Sequence, residues 1–344
     1  MQRHARARIE LIRWLGVLLA SGAALGVAAG ELEPVRIGLV RQASAGPLYI
    51  GVAAGYFRDE GLDPQVTFLE TDRAVCAAVA SGKLDIGMAG LSASFYRYAA
   101  ARGLKLIASQ ASDQTGFPMY GILIGRKARQ AGFSGVNGLP HSRIGIADTD
   151  SGTYYSLLRI ATRFGLDPGS IRTVPLKSPA RELTALSRGQ IDGALLPFAT
   201  ALQSARAGDA LLRLSDLTVW QQGAVFTAAD NVTARRDLIG RFMHAYQRAT
   251  ADYQLNFLHY DDAGDFIPGP HYDQYLELIA RQAHMSVDVL AKTKTYCDRR
   301  ANLDVADVER QVKFWQEQGR LDKRIAAADL LDLSFIGQEV AYPQ

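Results

Sequence analysis

The chain has 344 residues, 48% hydrophobic and 21% charged, which suffices for two globular domains with sizeable cores. Its net charge of +3 comes from one end: residues 1–29 carry Arg3, Arg6, Arg8, Arg13 and Glu10, and without them 34 basic side chains face 34 acidic ones. No basic tract survives in the remainder, which excludes a nucleic-acid partner.

The first segment, "MQRHARARIELIR" (1–13), is basic, Trp14 to Val27 is apolar, and Ala28, Ala29 and Gly30 are small. This is the order of a secretory signal peptide, with cleavage after Ala29. The apolar stretch, roughly 14 residues, is short for a membrane span. The expected localisation is therefore the periplasm. No cysteine stands at the cleavage site to carry a lipid. The only cysteines, Cys76 and Cys297, leave one disulfide or two buried thiols equally open.

From residue 34 an internal repeat organises the chain. "VRIGLVRQASAGPLYIGVAAGYFRDEGLDPQVTFLE" (35–70) and "SRIGIADTDSGTYYSLLRIATRFGLDPGSIRTVPL" (142–176) both open on an apolar strand carrying Ile-Gly, Ile37-Gly38 and Ile144-Gly145, 107 residues apart. Ser44 answers Ser151 at the same offset, an amphipathic helix follows, and both segments reach Gly-Leu-Asp-Pro, at 61–64 and 165–168. A glycine soon followed by proline is a helix stop. "AAVASGKLDIGMAG" (77–90) and "TALSRGQIDGALLP" (184–197) extend the match, Gly82 to Gly189 and Asp85 to Asp192 again lying 107 apart. Strands alternating with helices predict two α/β lobes built on parallel sheets.

The boundaries expected from this pattern are lobe one at 34–115 together with 226–344, and lobe two at 120–215. Hinge strands are expected at about 112–120 and 216–226. The rest is predicted helical, over 233–254, 271–283, 286–296, 304–318 and 324–332, forming a C-terminal extension packed back on lobe one.

Ligands of open α/β sheets bind beyond the carboxyl ends of the strands, where helix N-termini present unpaired N–H groups suited to an anion. The candidate starts are Ser44, Thr71-Asp72, Ser92, Thr149 to Thr153, Ser178 and Phe198. Each Ser, Thr or Asp is also explained as a simple N-cap. The three hydroxyls of Thr149, Ser151 and Thr153 exceed what capping needs. Tyr154, Phe198, Tyr120 and Trp220 add aromatic walls.

"GPLYIGVAAGYFRDEGLD", "AAVASGKLDIGMAG", "GIADTDSGTYY" and "LSRGQIDGALLP", together with the signal peptide, resemble the type II periplasmic solute-binding proteins of ABC importers. The most similar group is the one that binds nitrate, sulfonates, taurine and thiamine-pyrimidine precursors. The resemblance implies a two-lobed Venus-flytrap that closes on its ligand and is recognised by ABC permease subunits in the inner membrane. It implies ligand contacts from Ser44, Tyr49, Thr71, Asp72, Leu91, Ser92, Ser151, Gly152, Thr153, Tyr154, Pro197 and Phe198. "ETDR" (70–73) departs from the small residues of many relatives: Asp72 would repel an anion from inside the cleft but not from a cap.

The expected function is capture of a small organic anion, an alkyl or aryl sulfonate or carboxylate, by a monomer that is not an enzyme. No cofactor or metal is expected. The six histidines lack metal-ligand spacing, and neither a Gly-x-Ser-x-Gly motif nor a phosphate loop occurs. The alternatives are a binding protein for a cationic pyrimidine, using Asp72 or Asp148, a pyrimidine-synthase-like enzyme, and a periplasmic sensor subunit.

Overall fold

The computed structural model describes residues 31–206 and 209–336, so the signal peptide lies outside the described residues. Ten strands form two five-stranded sheets. They are β1 (Glu33–Leu39), β2 (Leu62–Phe68), β3 (Ile86–Gly90), β4 (Leu104–Asp113), β5 (Tyr120–Ile124), β6 (Arg143–Ile146), β7 (Arg172–Pro175), β8 (Gly193–Pro197), β9 (Ala210–Arg213) and β10 (Trp220–Ala228). The orders are β2-β1-β3-β10-β4 and β7-β6-β8-β5-β9.

The sequence repeat is a repeat of packing. In β1, Val35, Ile37 and Leu39 alternate into the core. Gly38 lies under Leu84, and a Cβ there would sit 2.2 Å from its Cδ1. Gly145 of β6 lies under Ile191 in the same way, at 2.6 Å. Each Ile-Gly pair thus admits the apolar residue that precedes the third strand of its repeat unit. Gly61 and Gly165 end the preceding helical segments at φ of 71° and 68°, the left-handed region that glycine enters without strain. Their sequels differ: Leu62-Asp63-Pro64 runs straight into β2, whereas Pro168–Ser170 makes a 3₁₀ turn before β7. Pro64 is tolerated because β2 is an edge strand.

Two expectations are corrected. The sheets are mixed, since β10 runs antiparallel to β3 and β4, and β5 antiparallel to β8 and β9. The strand that follows each passage between lobes, β5 or β10, runs in the opposite sense and inserts between two parallel neighbours. The stretch 324–332 holds only the 3₁₀ turn Ala327–Leu330, tied to the sheet by the Asp332 N–H donating to Leu106 O.

The chain passes to the second lobe between Asp113 and Tyr120 and returns between Arg213 and Trp220. Asp113 holds both passages: its carboxylate accepts the Met119 N–H at 3.0 Å and the Trp220 indole N–H at 3.3 Å. Of the C-terminal elements, the Arg236–Phe257 helix packs on the first lobe through Leu238, Ile239, Phe242 and Tyr246. The Val305–Glu317 helix packs through Val308, Val312 and Trp315 beside Trp220 and Tyr155. Cys76 and Cys297 are free and buried.

Candidate functional site

The polar helix starts fall into two kinds. Four are closed by their own hydroxyls. Thr71 Oγ1 accepts the Ala74 N–H at 3.1 Å, Ser92 Oγ that of Phe95 at 3.1 Å, Ser151 Oγ that of Tyr154 at 3.2 Å and Ser178 Oγ that of Arg181 at 3.4 Å. The Gly46–Ala53 helix, by contrast, has no side-chain cap, and neither does the short Phe198–Ser204 helix. The start of the second of these helices and the 3₁₀ turn Ala43–Ala45 that leads into the first meet in one cleft of about 450 Å³, lined by Arg41 to Ser44, by Met119 and Tyr120, by Pro197 to Thr200, and by Gln222. The start of the Gly46–Ala53 helix itself is closed by the turn, since the Gly46 N–H donates to Ala43 O and Pro47 has no N–H. The His284–Ser286 stretch of the C-terminal region forms another part of the wall. Both lobes contribute, at the carboxyl ends of β1 and β8.

Ser44, Pro197 and Phe198 therefore come together. Ser44 is 4% exposed, and Gln110 Nε2 donates to its Oγ at 3.4 Å, which leaves the hydroxyl proton available. Tyr49 lies in the core with its hydroxyl on the Gln42 carbonyl at 3.2 Å, shaping the 41–44 loop from behind. Burial pushes its phenol up to about 12.

Asp72 is not the helix cap; Thr71 is. The Asp72 carboxylate instead accepts the Gly90 N–H at 3.3 Å at the end of β3. Burial raises it to about 6, against the lowering effect of that N–H. Tyr120 hydrogen-bonds Gln222 and is pushed up to about 12 by burial, with the Asp72 and Asp113 carboxylates adding to the effect. A second hollow of about 350 Å³ is shared by Asp72 and Ser92, with Arg97 and Phe95 in its wall.

Thr149 to Tyr154 stand against the first lobe. The Ala93 N–H donates to Asp150 O at 3.0 Å, Arg97 reaches the Asp150 carboxylate at 2.7 Å, and Arg320 pairs with the same carboxylate. Thr149 Oγ1 accepts from Arg320 at 3.0 Å. Gly152 lies so close that a Cβ would be 2.6 Å from both Leu91 O and the Trp220 ring. Leu91 is buried, with its N–H on Gln222 O at 2.8 Å. Thr153 is buried, its hydroxyl 2.8 Å from Ser151 Oγ, and Tyr154 stacks on Trp315 at 6.4 Å. Asp148 is held below the usual carboxylate range first by Lys177, at 2.7 Å.

Sequence reasoning passed over Gln110, Gln222 and the His284–Ser286 wall. A signal existed for one of them: "WQQGAVFTA" is a buried apolar strand interrupted by two amides. Among the described residues no group of three or more His, Cys, Asp or Glu could hold a metal ion. No helix among them is long and apolar enough to cross a membrane.

Two mixed α/β lobes joined by two passages, with a cleft at the strand ends, define the type II periplasmic-binding-protein fold. The chain belongs to the NMT1/THI5-like family, whose profile matches residues 42–256. The fold is shared with the alkanesulfonate-binding protein SsuA from Xanthomonas axonopodis pv. citri bound to MOPS, at 18% identity and a TM-score of 0.63 over 88% of this chain and 99% of that one. The periplasmic aliphatic sulphonate binding protein SsuA from Escherichia coli gives 15% identity and a TM-score of 0.67 over 91% and 94%. The desulfurization enzyme DSZB, in complex with biphenyl-2-sulfinic acid, gives 13% and 0.58 over 88% and 97%. No curated protein matches the chain. At these identities the likeness speaks for the fold, and that fold carries binding proteins and an enzyme alike.

Proposed function

We propose that the protein is the substrate-binding component of an ABC importer, exported by residues 1–29 and working as a periplasmic monomer. It captures a small organic anion of sulfonate or carboxylate type between the lobes and delivers it to the permease. The lobes, 34–115 with 226–344 and 120–215, close about the passages at 112–120 and 216–226. The observation that carries this reading is the cleft itself, walled by both lobes at the carboxyl ends of β1 and β8 with Ser44 in its lining. Phe198, Met119 and Pro118 supply an apolar wall for an organic body, which favours such a ligand over bare nitrate.

A binding role rather than catalysis is supported by the cysteines. Burial, with Asp72 adding to it, pushes the Cys76 thiol up to about 12, and burial also raises Cys297, so neither offers a thiolate at neutral pH. The cationic-pyrimidine reading draws on one observation, the Asp72 carboxylate beside Gln222 without an ion-pair partner among the described residues.

The test is a thermal-shift and calorimetric screen of residues 30–344 against alkyl and aryl sulfonates, aromatic carboxylates, nitrate and aminopyrimidines. A ligand at a hundred times its Kd or more should stabilise the protein by about 3–4 kcal/mol. Shifts from pyrimidine cations alone would overturn the anion reading.

A further inference from the structure

The C-terminal helix Val305–Glu317 lies outside the sequence repeat, yet it touches both lobes. One side of it packs on the first lobe through Val308, Val312 and Trp315. The other side meets the second-lobe helix Gly152–Arg163, where Phe314 packs edge-on to Tyr155 at 5.2 Å and tilted against Tyr154 at 6.2 Å.

The two ends of this contact, separated by roughly 20 Å of helix, differ in depth. At the start of the helix Asp307 is fully buried and both of its carboxylate oxygens are used. Oδ1 accepts from the Tyr155 hydroxyl at 2.7 Å and from Arg159 at 2.6 Å, while Oδ2 accepts from the Gln221 N–H at 2.8 Å and the Gln311 amide at 2.9 Å. Just beyond the end of the helix, Arg320 pairs with the Asp150 carboxylate of the second lobe. Arg97 of the first lobe reaches the same carboxylate at 2.7 Å and donates to the Arg320 carbonyl at 3.0 Å. These three side chains are 23% exposed for Asp150, 46% for Arg97 and 38% for Arg320. Water and salt compete for the ion pairs at this end and are shut out at the other.

We infer that residues 305–320 form a strap that holds the lobes together through the chain's own side chains, with Asp307 as its fixed end and Asp150 as its releasable latch. Separation of the lobes begins at Asp150 and passes along the helix as Phe314 leaves Tyr154 and Tyr155, while Asp307 keeps Arg159 and the Gln221 N–H of β10. In the solute-binding role proposed above, release of the latch precedes opening on this side of the molecule.

Two backbone groups report on the two ends. The Ala93 N–H stands in the first turn of its helix, where no intrahelical acceptor exists, and donates across the lobes to Asp150 O at 3.0 Å. The Gln221 N–H, on Asp307, reports on the fixed end.

The experiment is residue-resolved amide hydrogen exchange by NMR on residues 30–344 with no ligand added, under conditions where the rate follows the opening equilibrium. Asp150→Ala removes the latch carboxylate and keeps the carbonyl that Ala93 uses. It should speed exchange at Ala93 about fivefold or more, as expected for the loss of two exposed ion pairs, and change that at Gln221 less than about twofold. Phe314→Ala, whose ring contacts lie on Tyr154 and Tyr155, should speed Ala93 as well. In the parent chain, raising the salt from about 0.1 M to about 1 M shortens the Debye length from about 10 Å to about 3 Å and should also speed Ala93. That reading replaces Asp150→Ala should the variant not fold. Ala93 exchange unmoved by the substitution or by salt overturns the latch. A gain from Asp150→Ala without one from Phe314→Ala overturns the strap, because only the 148–151 turn has then loosened. Equal gains at Ala93 and Gln221 overturn the division into a fixed and a releasable end. None of these outcomes bears on the solute-binding role, since no ligand enters the measurement.

Discussion

Asp85 grips Arg36 three times, taking its backbone N–H at 2.9 Å, Nε at 3.0 Å and Nη2 at 2.7 Å, and Arg235 pairs with the same carboxylate. Burial alone would raise Asp85, but these arginines hold it below the usual carboxylate range. In the second lobe Asp192 repeats the grip on Arg143, at 2.8, 3.1 and 2.8 Å. The two clasps differ in depth, since the Asp85 side chain is 1% exposed and that of Asp192 27%. Asp85→Ala should cost about 2–3 kcal/mol because it removes a buried carboxylate bonded to the Arg36 backbone and to two half-exposed arginines, of which Arg235 keeps Glu33. Asp192→Ala should cost about 1 kcal/mol, as water replaces much of what is lost. Urea unfolding of both variants checks the ranking, and equal losses would contradict it.

Gly152 offers a second test, because its Cα lies against Leu91 O and Trp220 with no room for a methyl group. Gly152→Val should push the second-lobe helix away from the first lobe and cost about 1–3 kcal/mol. Small-angle scattering should then report a larger radius of gyration than for the parent chain. An unchanged radius would mean that the contact yields locally.

Glu182 is buried beneath Gly145, and its Oε2 has no partner among the described residues. Burial raises its carboxyl to about 7 from an ordinary 4.5. The folded state therefore holds a proton that the unfolded state has released between those values, so this group's contribution to stability falls as pH rises from about 4.5 to about 7. Glu182→Gln should flatten that decline and leave the variant more stable than the parent at pH 8, by on the order of 1–2 kcal/mol after solvent screening. Thermal denaturation at pH 5 and pH 8 reads both slopes. A parent chain no less stable at the higher pH, relative to the variant, contradicts the assignment.

Ser44 and Ser151 occupy matching places in the repeat and should respond oppositely. Ser151 Oγ caps its helix, so Ser151→Ala should lower stability by about 1 kcal/mol. Ser44 caps no helix and lines the cleft, its one bond being a long one from Gln110, so Ser44→Ala should cost less stability than Ser151→Ala, about 0.5 kcal/mol, and weaken a bound anion about tenfold. Calorimetry beside a melting curve separates the two outcomes.

The repeat carried much of the fold in local chemistry. Ile-Gly, the left-handed stop glycine and the strand-closing aspartate each act within one strand-helix-strand unit, and each recurs at matched positions. What lay beyond local pattern was the placement of β10. Expected as a hinge strand at about 216–226, it runs inside the first sheet between β3 and β4, because an antiparallel insertion depends on where the second lobe returns the chain. Ser44 and Phe198 were legible as residues at helix starts. Gln222 was legible only as one of two amides interrupting an apolar run, because which wall a strand glutamine faces depends on how the sheet is assembled.

Asp113 has a mechanical consequence. One carboxylate holds the Met119 N–H of the outgoing passage and the Trp220 ring of the returning one, and Trp220 pairs with Asp113 in the sheet. The two covalent links are thereby pinned at a common pivot. Sliding of one link past the other would break that pin, so one buried carboxylate couples the two links as a single strut.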